Sequence, residues 1–444
     1  MKPYVAGVDS STQSVKVVIV DPQTGAIVRE GRASHPHGTE VDPAYWWEAF
    51  LTAADEASGL DDVRAISFGG QQHGMVCLDR DGNVIRPALL WNDTRSSQAA
   101  EDLVAELGGG DRTLGVKEWV FRTGSVPVAS ITITKLRWLA QNEPDNAAKI
   151  AAVCLPHDWL SWRFSGSTDI HDLATDRSDA SGTGYFKTPS ADQSYDRSLV
   201  ARALQIDSAD SIILPRIAGP TEIIGYGDPK RGWDDIAIGP GCGDNAGAAL
   251  GLQLEPGEAM LSLGTSGVVA LRSDKPVVDS DGIITGFADA TGQWLPLACT
   301  LNASRIIDAM AAVVGVGYEE FSKLALSVDS AKGLILTPYF EGERTPNLPD
   351  ATASLTGMTL ENSKPAYVAR AAVEGLLNLM RGAMDAMRSA GAEINKVQMV
   401  GGGARLEAVR VLAPEILGVD VEVPEAAEYV ALGAARQAMT LLSK

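Results

Sequence analysis

VDSSTQS, residues 8–14, lies between two apolar runs, and LSLGTSG, residues 261–267, repeats the arrangement about 250 residues further on. Aligned, Asp9 meets Ser262, Ser11 meets Gly264 and Thr12 meets Thr265. Each stretch reads as a β-hairpin. Its tip, Ser11, Thr12 and Gln13 in the first copy and Gly264, Thr265 and Ser266 in the second, offers backbone N–H groups and hydroxyls suited to phosphate oxygens. One Ser/Thr/Gly turn of this kind is usually only a turn. Two copies predict an old duplication, with two similar domains and a nucleotide's phosphates between their hairpin tips. Only the first copy carries a carboxylate, Asp9, so a phosphate-bound Mg2+ is expected on that side.

The rest of the composition narrows the classes. A chain of 444 residues is too long for one core and predicts two or three domains. No apolar stretch reaches the ~18 uncharged residues of a membrane-spanning helix, and the sequence starts with a strand pattern rather than a signal peptide, which predicts a cytoplasmic protein. The net charge of −20 disfavours nucleic acid and anionic membrane as partners, because both require a basic surface. Cys77, Cys154, Cys242 and Cys299 are widely spaced, with no CxxC, and read as reduced packing residues.

Strand and helix signals alternate over the first hundred residues, which indicates a helix-flanked sheet of the α/β class. YVAGVD and VKVVIVD flank the first turn, DPAYWWEAFLTAADEA is a helix capped by Asp42 with Pro43 at its first position, and VRAISFGG is a buried strand. Residues 103–214 are richer in helical patterns and read as an insertion in the first domain. The Gly-dense run IGPGCGDNAGAALG follows, and the boundary is expected near 239–243, giving domains 1–240 and 241–444. The second domain then holds the second hairpin, a helix over about 365–390, the strand VQMV and the closing helix YVALGAARQAMTLL.

No GxxxxGK[ST] loop is present, so phosphate binding cannot rest on one lysine-bearing loop. Asp244, in GCGDNAG, fits a helix N-cap. The same place suits a general base, because a carboxylate at a helix start stays ionised and can accept a hydroxyl proton. Asn245 beside it suits a polyol hydrogen bond or the turn itself. GGQQHGM places Gln72 and His73 at the C-terminal end of a buried strand, where α/β sheets bind ligands; a lone histidine there is also a common structural group. GGGARL lets a flat group approach the backbone at Gly402 and Gly403, and with ALGAARQA about 30 residues later it suggests an adenine and ribose pocket in the second domain. Asp93 and Arg95, in WNDTR, read as a local ion pair.

Taken in order, AGVDSSTQSVKVVIVD, FGGQQHGMVCLD, LWNDTR, GCGDNAGAALG, LSLGTSGVV, YFEGERTPNLPDA, VGGGARL and EYVALGAARQA resemble the FGGY carbohydrate kinases, most closely their bacterial xylulose kinase branch. The resemblance covers essentially the whole chain. It implies two actin-like, ribonuclease-H-like domains, as in hexokinase, with a cleft that closes on sugar and ATP. It implies ATP-dependent phosphorylation of D-xylulose, with Asp244 as catalytic base, Gln72, His73 and Asn245 as sugar contacts, and Mg2+ held near Asp9. The two hairpin tips would then hold phosphates, and Gly402 and Gly403 would line the adenosine site. A homodimer is compatible with it. Ser11 stands where the family's first hairpin usually has Gly, Gln72 where its sugar motif often has Met, and Leu406 where a polar residue is common. A kinase for ribulose, glycerol or another polyol, or an actin-like ATPase, remains the alternative.

Overall fold

The computed structural model describes residues 3–190 and 193–443, and the chain divides into two compact units. The first comprises Met1–Gln253 with Gly286–Leu295 and Glu428–Lys444, and the second comprises Leu254–Thr285 and Pro296–Ala427.

In the first unit, β1 (Tyr4–Ser10) and β2 (Ser14–Val20) form an antiparallel hairpin, continued by β3 (Ile27–Ser34). On the other side of β1 runs the parallel strand β4 (Val63–Gly70). Beyond it lie β5 (Gly225–Tyr226) and β6 (Ala237–Ile238), in the order β5-β6-β4-β1-β2-β3, and β7 (Cys242–Gly243) pairs with the far end of β4. VKVVIV is apolar except for Lys16 because both faces are covered. Val15, Val17 and Ile19 face a core with Trp46, Phe50, Phe68 and Phe164, while Val18 and Val20 face Ala431, Ala435 and Ala438.

Helix α1 (Pro43–Glu56) supplies Trp46 and Phe50 to the first face, and the Asp42 carboxylate accepts from the Ala44 N–H at 2.9 Å, as a cap should. The expected helical insertion has a core of its own, built from Leu103, Trp119, Leu136, Leu139 and Leu199. It includes α2 (Thr132–Asn142). Helix α3 (Pro156–Ser165) follows, and α4 (Asp244–Gly251) comes after the glycine-rich run.

The closing helix, Tyr429–Thr440, packs within this first compact unit. Gly7 explains its seat: a Cβ there would lie 2.0 Å from the Ala431 carbonyl oxygen, so only glycine lets the helix backbone meet the strand. The helix also packs against α4, with Gly433 facing the Gly247 backbone. These contacts place residues 241–253 and 428–444 with the first unit, so the compact units depart from a simple division at 240/241.

Five strands of the second sheet, in the order β10-β9-β8-β11-β12, are β8 (Glu258–Leu263), β9 (Gly267–Leu271), β10 (Trp294–Thr300), β11 (Lys396–Val400) and β12 (Asp420–Glu422), and all of them but Trp294 and Leu295 belong to the second unit. Strands β8 and β9 are antiparallel, and β11 runs parallel to β8. Helices α5 (Ser304–Val314), α6 (Tyr318–Leu326), α7 (Pro365–Ser389) and α8 (Glu407–Leu417) share one core with the sheet. Among the described residues, no helix is long and apolar enough to cross a membrane.

Candidate active site

Both expected hairpins are present. The first strand pair ends at Ser10 and resumes at Ser14, and the second ends at Leu263 and resumes at Gly267, which leaves residues 11–13 and 264–266 as the tips.

In the first tip, the Ser11 N–H and hydroxyl both donate to the Ser14 carbonyl, at 3.0 and 2.9 Å. The Thr12 hydroxyl accepts from the Trp91 indole at 2.9 Å. Asp9, one residue before the end of β1, is 5% exposed, and its Oδ2 lies 3.7 Å from the Lys16 ammonium on β2. Lys16 also pairs with Glu428 at the start of the closing helix. The Asp9 Oδ1 is buried with no hydrogen-bond partner. Burial raises the Asp9 carboxyl to about 6 against the opposing pull of Lys16, with Glu428 pushing in the same direction as burial. A buried carboxylate oxygen without a partner fits a divalent cation. Among the described residues no group of three or more metal-ligating side chains occurs, so this one carboxylate suits a cation that takes its other ligands from phosphate and water.

The chain leaves β4 through Gln71, Gln72 and His73, and the neighbouring strand β7 leads into Asp244. Gly243 is the N-cap and Asp244 the first residue of α4, one position further in than the cap expected from sequence. The Asp244 Oδ1 accepts from the Asn245 N–H at 2.7 Å and from its side-chain amide at 3.1 Å. That amide also donates to the Gln72 Oε1 at 2.8 Å. Asp244, Asn245 and Gln72 thus form one hydrogen-bonded group at the C-terminal ends of neighbouring strands. Burial, then the negative charges of Asp179 and Asp9, raise the Asp244 carboxyl to about 7.

His73 has a φ of +68°, and its Nδ1 lies 2.8 Å from the Gly182 carbonyl, so Nδ1 is the donor. Its ring sits 5.6 Å from that of Phe287, within the segment Gly286–Leu295. Beneath this surface lies His157, fully buried on α3. Its Nδ1 is 2.8 Å from Asp179 and its Nε2 is 3.1 Å from Asp158. Burial alone would lower the imidazole, but the charges of Asp158, Asp179 and Asp176, with the Asp179 hydrogen bond, raise it to about 9.

In the second unit, the carbonyls of Gly264 and Thr265 accept from the Ser304 and Ala303 N–H groups at 2.9 and 3.1 Å, which fixes the tip at the start of α5. A cavity of about 490 Å³ is walled by Ser304, Tyr318, Gly402, Gly403, Arg405 and Leu406, among others. Gly402 and Gly403 therefore line a real cavity, with Leu406 in its wall. The helix containing ALGAARQA, expected beside it, lies in the first unit instead. Asp93 and Arg95 form the expected ion pair, at 2.9 Å.

Sequence reasoning did not find Trp91, Lys16, Phe287 or the His157 cluster. Lys16 had a usable signal, a lone cation in an otherwise apolar strand. Phe287 had none, because it joins the site from a segment more than 200 residues away from His73.

Residues 4–251 match the N-terminal domain, and residues 259–442 the C-terminal domain, of the FGGY family of carbohydrate kinases. The chain is 41% identical to a xylulose kinase of Streptomyces coelicolor, over 99% of this chain and 88% of that one. It is 32% identical to a xylulose kinase of Escherichia coli, over 97% and 89%. Among solved structures, a xylulose kinase from Bifidobacterium adolescentis superposes with a TM-score of 0.94 at 50% identity, covering 100% of this chain and 93% of that one. A glycerol kinase from Plasmodium falciparum with ADP shares the fold at a TM-score of 0.87 and 22% identity, covering 99% and 90%. With both halves matched and relatives aligned over nearly its full length, the chain belongs to the FGGY family of carbohydrate kinases, enzymes of the actin-like ATPase fold that phosphorylate sugars.

Proposed function

We propose that this chain transfers the γ-phosphoryl group of ATP to the C5 hydroxyl of D-xylulose. Its relatives of 41% identity are xylulose kinases, which supports the substrate. The observation that carries the chemistry is the group at the start of α4, where Asp244 is oriented by Asn245 and stands beside Gln72.

In this reading Gln72, His73 and Asn245 hold the sugar hydroxyls, and Asp244 receives the proton of the reacting hydroxyl. The hydroxyl oxygen bonds to the γ-phosphorus, the bond from that phosphorus to the β–γ bridging oxygen breaks, and ADP leaves. A carboxyl near 7 suits a base at neutral pH, because it is ionised in a good fraction of molecules yet basic enough to take a proton. Ser11, Thr12 and Gln13 on one tip, and Gly264, Thr265 and Ser266 on the other, steady the phosphates with backbone N–H groups and hydroxyls. Gly402 and Gly403 line the adenosine cavity. Asp9 would hold Mg2+, which supplies neutralisation of phosphate charge when bound. In this reading the enzyme works in the cytoplasm, which accords with the lack, among the described residues, of a helix able to cross a membrane.

The test measures ADP formation with D-xylulose, D-ribulose, glycerol and no sugar at fixed Mg2+ and ATP. D-Xylulose should give the highest kcat/KM. ADP release that ignores the sugar would overturn the reading in favour of an ATPase. Asp244→Asn should lower kcat by about 100-fold or more, and near-normal turnover would remove Asp244 from the role of base.

A further inference from the structure

The Gly-rich run that delivers Asp244 has few side chains of its own to hold it. Gly241 has a φ of +83°, a conformation that suits glycine, and a Cβ there would lie 2.2 Å from the His157 ring. The backbone must therefore be fixed from outside, and the closing helix does this. Gln437, buried at 2% exposure, accepts from the Gly241 N–H through Oε1 at 2.9 Å and donates to the Gly241 carbonyl through Nε2 at 2.8 Å. Its Oε1 also accepts from the Ser67 hydroxyl on β4, the strand that ends just before Gln72.

We propose that Gln437 is a positioning residue for catalysis. Its side-chain amide ties Gly241, three residues before Asp244, to β4 and so sets the base against the Gln72 side of the sugar site. The inference rests on the reading of Asp244 as the base.

Two features make the amide more than packing. It satisfies both polar groups of one buried peptide residue, so an apolar replacement leaves the Gly241 N–H and C=O unpaired and gives the loop reason to shift. It also joins the two segments that carry the proposed base and a sugar contact, which a contact within one segment could not do. Elsewhere the same helix is packed by alanine and glycine, with Ala431, Ala435 and Ala438 in an apolar core. Gln437 is thus a polar grip within a helix otherwise held by close packing.

The experiment compares Gln437→Met, similar in length but unable to grip Gly241, with Leu441→Ala, four residues on and buried in that core. In the full chain, Gln437→Met should lower kcat about tenfold or more while KM for ATP stays within about twofold. Leu441→Ala should lower Tm yet keep kcat per folded molecule. Unchanged kcat in Gln437→Met, or equal losses of kcat in both variants, would overturn the proposal.

Should Gln437→Met fail to fold, hydrogen exchange in the unmodified protein decides. The Gly241 amide should be strongly protected, and exchange as fast as that of the exposed Asp21–Gly25 turn refutes the grip. Asp244→Asn separates the two failures. If it is active, the reading of the base is wrong; if it is inactive while Gln437→Met keeps full kcat, only the positioning role is wrong.

Discussion

The two hairpins have the same strand pairing but different surroundings. Strands β1 and β8 each pair antiparallel with the next strand and parallel with one that comes much later in sequence, β4 or β11. Asp9 in the first unit corresponds to Ser262 in the second. Around Asp9 the first unit places Lys16, Glu428 and a buried unpaired carboxylate oxygen. The second unit instead ties its tip by carbonyls to the start of α5 and opens a cavity beside Gly402. One copy of the duplicated sheet has thus specialised in charge, and the other in space for a bulky group.

The most severe way to break this contrast is Asp9→Ser, which gives the first hairpin the residue of the second. If the charge belongs functionally to the first unit alone, kcat should fall on the order of 100-fold and the Mg2+ concentration for half-maximal rate should rise. A rate within a few-fold of the parent at ordinary Mg2+ would show that the asymmetry has no catalytic meaning. A structural contrast comes next. Gly7 aligns with Met260, and at Gly7 the first sheet accepts a helix backbone directly. Gly7→Ala should therefore destabilise the protein by about 3 kcal/mol, read by denaturant unfolding, since neither strand nor helix backbone can yield cheaply.

A smaller effect probes the space. A Cβ at Gly402 meets nothing within 4 Å, so Gly402→Val should fold normally and occupy part of the cavity. KM for ATP should rise about tenfold with kcat little changed, as for loss of uniform binding. An unaltered KM would place the adenosine elsewhere.

The hairpins were legible because their signal is local, with small polar residues between apolar runs and repeated once. Asp244, Gln72 and Asn245 were legible as individuals from their places at strand ends. Their mutual hydrogen bonds, and the seat of Asp244 in the first unit, depend on strand order, which no short motif encodes. ALGAARQA shows the limit most clearly. Its small residues did signal close packing, but the partner proved to be Gly7 and α4, because close packing specifies distance and not identity. His157 and its aspartates were invisible for a related reason: PHDW and TDRSD look like polar helix starts until folding buries them together.

That buried cluster gives the finest test of the charged unit. Asp244 must be ionised to accept a proton, and its carboxyl is raised to about 7 by burial first and then by Asp179 and Asp9. Activity carried by kcat/KM should therefore fall as pH drops through about 7. Asp179→Asn removes one of the negative charges that raise Asp244, while the amide oxygen can still accept from His157 Nδ1. The acid limb should move to lower pH, leaving the variant relatively more active than the parent below neutrality. A limb that stays in place would mean that Asp179 is too well neutralised by His157 to be felt at Asp244. A limb that moves upward would contradict the sign of the interaction itself.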